Sequence, residues 1–160
     1  MIRALLLGLC LLLGGCATPT PLPPSTPQLR VTLPLTVQVQ RQQGDGVQDW
    51  LLVLQEAGDG LRWSLFDPLG VPLARQQLHA GRWQNDGLLP PNPEARELFA
   101  ALLFAWCADE SRRQYPPAAW QVNASGWQLA PGWQIAAPQA APVQLRNAAG
   151  VRYRITRLAE

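Results

Sequence analysis

The sequence predicts a mainly β fold with a helical insert, a half-open antiparallel β-barrel with an apolar α-helix as its lid. About five strand-like segments come before one long apolar segment, and about four follow it. That apolar segment, residues 98–108, has no polar side chain except the Cys107 thiol. A helix on the outside of a sheet keeps a polar stripe, so this helix must be covered on several sides or face an apolar ligand. A helix packed beside a β-sandwich is the alternative.

The start of the chain has the pattern of a signal peptide. Arg3 gives a positive start, and residues 4–13 form an almost unbroken apolar stretch that is too short to span a bilayer. Gly14 and Gly15 then precede Cys16, and the sequence "LGGC" resembles the lipobox of bacterial lipoproteins. We therefore expect residues 1–15 to be removed and the Cys16 thiol to carry the lipid. An ordinary secretory signal with an incidental cysteine is the alternative.

The residues after Cys16 indicate where the protein is held. In Gram-negative lipoproteins an aspartate after the acylated cysteine resembles an inner-membrane retention signal, and this chain has Ala17 there. We expect lipid anchoring at the periplasmic face of the outer membrane, where each buried methylene contributes about 0.8 kcal/mol. Five prolines in residues 17–30 predict that residues 16–32 form an extended tether of about 3 Å per residue. The folded domain is then expected to span residues 33–160.

Composition limits the classes of partner. The chain has 13 basic and 11 acidic residues, a balance too even to indicate nucleic-acid binding. Once Cys10 is removed and Cys16 acylated, Cys107 is the remaining thiol, and a lone cysteine in an oxidising compartment is expected to be buried. Seven tryptophans in so short a domain need a large apolar interior.

Alternation of apolar and polar residues predicts the strands in order. Segments 35–42 and 61–66 alternate, and segments 71–80 and 82–86 look like further strands. The longer segment 47–57 is more apolar, as expected of a strand covered on both faces. The turn sequences "GDG" and "DPLG" separate the early strands and favour an antiparallel meander. Strands are predicted again near residues 126–130 and 132–136 and in a hairpin about residues 148–150.

Capping residues predict where the helix begins. Asn92 is suited to the N-cap and Pro93 to the first helical position, with Glu94 and Glu97 in the opening turns. The charged sequence "ADESRRQYPP" follows the apolar segment and predicts its end.

No constellation of catalytic residues is evident in the sequence. His79, the single histidine, falls at a predicted strand end, and Cys107 lies on an apolar helix without an evident histidine partner. Asp109 and Glu110 are adjacent, which is typical of a solvated helix end. We therefore expect a non-enzymatic protein without a cofactor or a metal.

The large number of apolar and aromatic residues in the domain has two interpretations. The residues can fill a packed core, or they can line a cavity that accepts acyl chains at about 25 cal/mol per Å² of buried apolar surface. The cavity interpretation assigns the following lining residues: Trp50, Leu52, Leu61, Trp63, Leu65, Leu98, Phe99, Leu102, Leu103, Trp106 and Tyr153.

Residues 61–120 resemble the LolA/LolB lipoprotein-carrier superfamily, and LolB-like outer-membrane lipoproteins in particular. The matching features are "LRWSLF", "DPLG", "VPLARQQL", "RWQND", "PEARELFAALLFAW" and the closing pair "VQLRNAAGVRYRITRL". A branch of small uncharacterised lipoproteins associated with aryl-polyene gene clusters is similar as well. The resemblance implies a half-open barrel with helices lidding an apolar cavity.

The same resemblance implies a function. LolB-like proteins receive a lipidated client from a soluble LolA-like periplasmic carrier and place it in the outer membrane. An exposed apolar residue in a strand-connecting loop assists the membrane step, and Leu69 in "DPLG" holds the matching position. This chain is shorter between the helix and the last strands, where it carries "ADESRRQYPP", so client and cavity shape are expected to differ.

Three hypotheses follow. The first is an outer-membrane lipoprotein that binds acyl chains and helps to localise lipoproteins or lipids. The second is a structural or assembly lipoprotein of the envelope with a filled core. The third is a hydrolase or transferase acting on lipid intermediates, which requires His79 or Cys107 to line a cavity.

Overall fold

The computed structural model describes residues 18–136 and 142–158. The predicted signal peptide and the predicted acylation site Cys16 lie outside these residues. One open ten-stranded sheet dominates the domain, with the strand order β5-β4-β3-β2-β1-β10-β9-β8-β7-β6 and antiparallel neighbours. The strands are β1 (Leu35–Gln43), β2 (Gly46–Ala57), β3 (Gly60–Phe66), β4 (Pro72–His79), β5 (Arg82–Asn85), β6 (Trp120–Asn123), β7 (Gly126–Leu129), β8 (Trp133–Ala136), β9 (Val143–Arg146) and β10 (Arg152–Arg157).

The predicted antiparallel, β-rich sheet with a helical insert is confirmed, with two differences. Strand β6 was not predicted, so five strands follow the helix rather than four. Strand β2 was expected to be covered on both faces, but only its inner side chains, such as Leu52 and Leu54, are fully buried. Its outer Leu51 and Val53 are half-buried, because nothing among the described residues packs over that face as the helix packs over the inner one.

The sheet has two ends, which the antiparallel order defines. The turns that follow β1, β3, β7 and β9 lie at one end, which we call the proximal end. The turns that follow β2, β4, β6 and β8 lie at the other, the distal end. Strand β5 runs toward the proximal end, so the helix that follows it also begins there.

Helix α1 (Pro93–Trp106) begins as predicted. The Asn92 side chain accepts a hydrogen bond from the Ala95 backbone N–H (3.0 Å), and its amide donates to the Leu73 carbonyl (3.2 Å), which ties the helix start to β4. A short helix α2 (Asp109–Arg112) and a 3₁₀ turn (Pro117–Ala119) lead to β6.

Helix α1 lies in the concave side of the sheet and is buried all round. Every residue from Leu98 to Cys107 is buried, and these residues form one core with the inner side chains of β1–β4 and β7–β10. The sheet is open, so it cannot cover a helix on every side by itself. Other residues must cover the remainder.

A proline-rich segment provides that cover. Residues 18–34, which we call the strap, lie against the domain, and Leu22, Leu29, Val31 and Leu33 pack on the core. This corrects the prediction of an extended tether over residues 16–32, because the structure docks residues 18–32 on the domain. The alternation of Leu29, Val31 and Leu33 continues the apolar pattern of β1 backwards into the segment.

Candidate functional site

The interface between the strap and α1 is the candidate functional site. At its proximal end both the backbone N–H (2.9 Å) and the hydroxyl of Thr20 donate to the same Glu97 carboxylate oxygen. The indole N–H of Trp133 donates to the Thr20 hydroxyl oxygen at 2.8 Å. Thr20 is buried. Its three hydrogen bonds attach the strap to both α1 and β8.

The middle of the strap contacts the distal turns. The carbonyl oxygen of Pro23 lies 2.7 Å from the position a Cβ would take on Gly81, which already requires a positive φ of +71°. Gly81 therefore allows the strap to approach the β4–β5 turn closely. The Thr26 hydroxyl donates to the Asp59 carbonyl (2.9 Å) in the β2–β3 turn.

The strap then pairs with the end of α1 as a short antiparallel ladder. The Arg30 N–H donates to the Trp106 carbonyl (2.8 Å), and the Ala108 N–H donates to the Gln28 carbonyl (2.9 Å). These two bonds flank Leu29 and Cys107, which face each other as a bridge pair. The Trp106 carbonyl at the end of α1 thereby gains a partner that the helix cannot supply.

The residues predicted to line an acyl cavity are packed against one another. The Trp63 ring stacks on Phe99 and Trp106, with centroids 5.3 and 6.0 Å away, and Leu52 and Leu65 are cross-strand partners. The remaining helix and strand members of the predicted set are also buried: Leu61, Leu98, Leu102 and Leu103. The expectation of an open cavity beneath α1 is therefore corrected, since these side chains fill the space themselves.

Two members of the predicted set lie away from this packed group. Trp50 is half-buried and sits 5.8 Å from the Arg41 guanidinium. Tyr153 is buried, and its hydroxyl donates to Glu94 at 2.6 Å, the same carboxylate oxygen that accepts from Arg41 Nε at 2.5 Å. Burial raises the pKa of Tyr153, and the hydrogen bond to Glu94 raises the pKa of Arg41. The two hydrogen bonds to Glu94 tie β1 and β10 to the start of α1.

A buried polar group lies beneath the strap at the other end of α1. Arg112 is 3% exposed, and its guanidinium lies 3.9 Å from the Trp127 ring centroid and 5.2 Å from that of Phe104. It donates to the Cys107 carbonyl (2.8 Å) and to Asp109 (2.6 Å). Burial lowers the pKa of Arg112 and raises the pKa of the Cys107 thiol to about 11, so this thiol is neutral and unreactive near neutral pH.

Leu69 lies at the tip of a rigid turn at the proximal end. The Asp67 carboxylate accepts from the backbone N–H groups of Leu69 (2.9 Å) and Val71 (2.8 Å). The Gly70 N–H donates to the Asp67 carbonyl, and Gly70 has a φ of +82°. The turn holds Leu69 89% exposed, so its side chain does not tuck under the sheet.

Other exposed apolar side chains share this end. Val71 follows the same turn, Val47 begins β2, and Leu88 lies in the connection from β5 to α1; all three are exposed. Thr18 and Pro19, at the start of the strap, line a groove of about 430 Å³ with the β9–β10 turn. The strap therefore begins at the end of the domain that presents these side chains.

The residues weighed for catalysis do not meet. His79 Nδ1 lies 2.8 Å from Asp59 at the distal end, and both side chains are substantially exposed. Cys107 is fully buried in the core. Within residues 18–136 and 142–158 there is no group of three or more potential metal ligands. In the same described part of the chain, no helix combines the length and hydropathy needed to cross a bilayer.

No family model, curated protein or solved structure matches this chain. The resemblance to the lipoprotein-carrier superfamily therefore stays a prediction from the motifs quoted above.

Sequence reasoning missed the residues that make this site. Thr20, Glu97 and Trp133 are distant in sequence, and nothing in their local patterns indicates that they meet. The alternating Leu29, Val31 and Leu33 did carry a signal, but five neighbouring prolines favour a linker.

Proposed function

We propose that this chain is a non-enzymatic, lipid-anchored outer-membrane protein that binds an acyl chain of a lipoprotein or lipid along α1, in the place of the strap. The observation that carries the proposal is the strap itself. It covers the apolar part of α1 with partly buried apolar residues, and its polar bonds involve Thr20, Ser25, Thr26, Gln28 and Arg30. Such a cover can be exchanged for hydrocarbon without unfolding the sheet.

The energetics of that exchange support the proposal. Leu22, Leu29, Val31 and Leu33 are only partly buried, so each contributes about 1 kcal/mol to strap docking. An acyl chain lying on the same surface gains about 0.8 kcal/mol per buried methylene. A chain of ordinary length therefore offsets the loss of the strap's apolar contacts.

The placement of the strap supports a role at a membrane. Its first described residue, Thr18, lies two positions after the predicted acylated Cys16. Two residues of chain span at most about 7 Å, so an anchor there holds the proximal end and the exposed Leu69 close to the bilayer. Hydrocarbon released from α1 has a short path to lipid, and a LolA-like carrier is the proposed source of the client.

A half-open barrel of the LolA/LolB kind is the fold proposed within this function. The open sheet, the enclosed apolar helix and the exposed turn leucine support it. The resemblance implies an empty apolar cavity beneath a helical lid. In this chain we propose that the acyl chain instead binds on α1, on the surface that the strap covers.

The alternative, a structural or assembly lipoprotein of the envelope, is favoured by the packed interior. The predicted cavity residues fill the concave side of the sheet, and such a core needs no ligand. The two functions differ in whether the strap leaves α1.

A titration with a fluorescent fatty acid separates them. The probe is added to purified protein that begins at Ala17 and carries no acyl chain. The proposal expects saturable binding, competed by an unlabelled fatty acid. Binding that never saturates, or none at all, would contradict it and favour the structural alternative.

A further inference from the structure

A second groove lies on the outer face of the sheet, away from the strap. It has a volume of about 460 Å³ and crosses β1, β8, β9 and β10. Its polar lining consists mainly of arginine and glutamine side chains, namely Gln40, Gln42, Gln134, Gln144, Arg146, Arg152 and Arg154.

The register places these side chains on one face and close together. Arg152 pairs with Arg146 across β9–β10, and Arg154 lies between Gln144 on β9 and Gln40 on β1. All three arginines are exposed or at the groove surface. Like charges placed directly opposite each other destabilise a sheet, so an anion between Arg146 and Arg152 would relieve a repulsion that the fold retains.

The acidic side chains nearby do not neutralise the three arginines. Asp49 on β2 accepts hydrogen bonds from the Gln38 and Gln40 amides (3.2 and 3.4 Å), and Asp45 lies in the β1–β2 turn. Within the described part of the chain, neither carboxylate forms an ion pair with Arg146, Arg152 or Arg154. The groove thus keeps a positive charge, with amide donors around it.

The groove lies beside the point where the chain leaves toward the predicted anchor. Arg146 ends β9 and Arg152 begins β10, so both flank the β9–β10 turn. Thr18 and Pro19 line a groove together with Asn147, Ala148 and Ala149 of that turn. A lipid on Cys16 lies within about 7 Å of Thr18, at the end of the domain that carries this turn.

We propose that this groove binds the phosphate of an anionic phospholipid headgroup in the membrane that holds the anchor. Guanidinium groups bind phosphate oxygens in a bidentate manner, and the glutamine amides can donate to the glycerol and ester oxygens. A bound headgroup would hold the proximal ends of β9 and β10, where Arg146 and Arg152 lie, at the membrane surface. The inference rests on the lipid anchoring in the proposed function, although headgroup binding can be measured without the anchor.

Vesicle sedimentation tests this with the unacylated protein that begins at Ala17. The vesicles are phosphatidylcholine alone or with phosphatidylglycerol as the anionic lipid. We expect binding that requires phosphatidylglycerol and weakens with salt. The variant R146Q/R152Q/R154Q should lose about 100-fold in affinity, because each arginine near an anionic surface strengthens binding about fivefold.

The matched control is R75Q/R82Q/R113Q, which removes the same charge from exposed arginines elsewhere. We expect it to lose much less affinity than the groove variant. Equal loss in both variants would show a net-charge effect and overturn the site. Binding that ignores phosphatidylglycerol, or that free inorganic phosphate abolishes at low millimolar concentration, would assign the groove to another ligand and overturn the proposal as well.

The fatty-acid titration separates this inference from the proposed function. The groove lies outside the strap interface, so the triple variant should bind the fatty-acid probe like the unsubstituted protein. If phosphatidylglycerol binding holds while probe binding is absent, acyl binding fails and the groove stands. If probe binding holds while phosphatidylglycerol binding is absent, the groove proposal fails and acyl binding stands.

Discussion

Leu29 of the strap and Cys107 at the end of α1 face each other as a non-hydrogen-bonded antiparallel pair, flanked by the Arg30–Trp106 and Ala108–Gln28 backbone bonds. The Cα atoms of such pairs are typically about 4.5 Å apart, with their side chains close together. Opening of the strap therefore separates Leu29 from Cys107 and uncovers a thiol that is otherwise inaccessible.

The first prediction uses the Cys107 thiol to measure strap opening. Thr20→Val removes the hydroxyl that bonds Glu97 and Trp133, which should cost about 1.4 kcal/mol and raise the rate of Cys107 alkylation about tenfold through local opening. The measurement is mass spectrometry of the protein beginning at Ala17 during iodoacetamide treatment. Thr156→Val, an exposed threonine on β10, is the control. Equal rates in both variants would mean that Thr20 does not hold the strap.

The second prediction concerns the pH dependence of stability. Burial raises the pKa of the Cys107 thiol from 9.0 to about 11, so the unfolded chain releases this proton at a lower pH than the folded one. The free energy of unfolding should be unaffected well below pH 9 and then fall, by at most about 1.4 kcal/mol per pH unit, up to pH 11.

Urea denaturation between pH 7 and pH 10 checks this expectation. In Cys107→Ala the decline between pH 9 and pH 10 should be shallower than in the unsubstituted protein. Identical declines would mean that the thiol is not protected by burial.

The third prediction concerns the buried guanidinium. Arg112→Ala removes the contacts with Trp127 and Phe104 and leaves the Cys107 carbonyl without its donor. It should lower the free energy of unfolding by about 3 kcal/mol, measured by urea denaturation. Arg113→Ala, its exposed neighbour, should change it by less than about 0.5 kcal/mol. Similar values for the two variants would show that Arg112 contributes little to packing.

The fourth prediction tests Leu69 as a membrane contact. Leu69→Glu should reduce binding to vesicles of phosphatidylcholine with phosphatidylglycerol about tenfold without changing Tm, because Leu69 makes no core contact and a carboxylate is costly to bury in lipid. Val122→Glu alters another exposed apolar residue, on the edge strand β6, and should have little effect. Equal loss from both substitutions would argue against insertion at the proximal turn.

Much of the sheet and the helix could be predicted because their signals are local. Alternation identified the strands, and Asn92 with Pro93 marked the start of α1 to the residue. Strand β6 was missed although "WQVN" alternates; it is a four-residue strand at the edge of the sheet. The partners of Thr20 could not be predicted, since their contacts depend on the whole fold.

The nature of the interior could not be predicted from composition. Trp63, Phe99 and Trp106 would be present in the same numbers whether they lined a cavity or stacked on one another. The contacts of the folded chain decide between these two states. The strap that covers α1 was missed because its prolines favour the prediction of a linker. Proline lacks an N–H and so makes few ladder bonds, yet Pro23 and Pro27 are buried here against the domain.

The central claim is that an acyl chain binds along α1 only when the strap leaves. The most direct test is the Leu29→Cys variant of the protein that begins at Ala17, oxidised to bond with Cys107, a geometry that suits a disulfide. Leu29→Ser, treated with the same oxidant, is the control. We predict that the oxidised cysteine variant binds the fluorescent fatty acid at least about tenfold more weakly than the serine variant and recovers on reduction. Undiminished binding with the strap locked would contradict the claim.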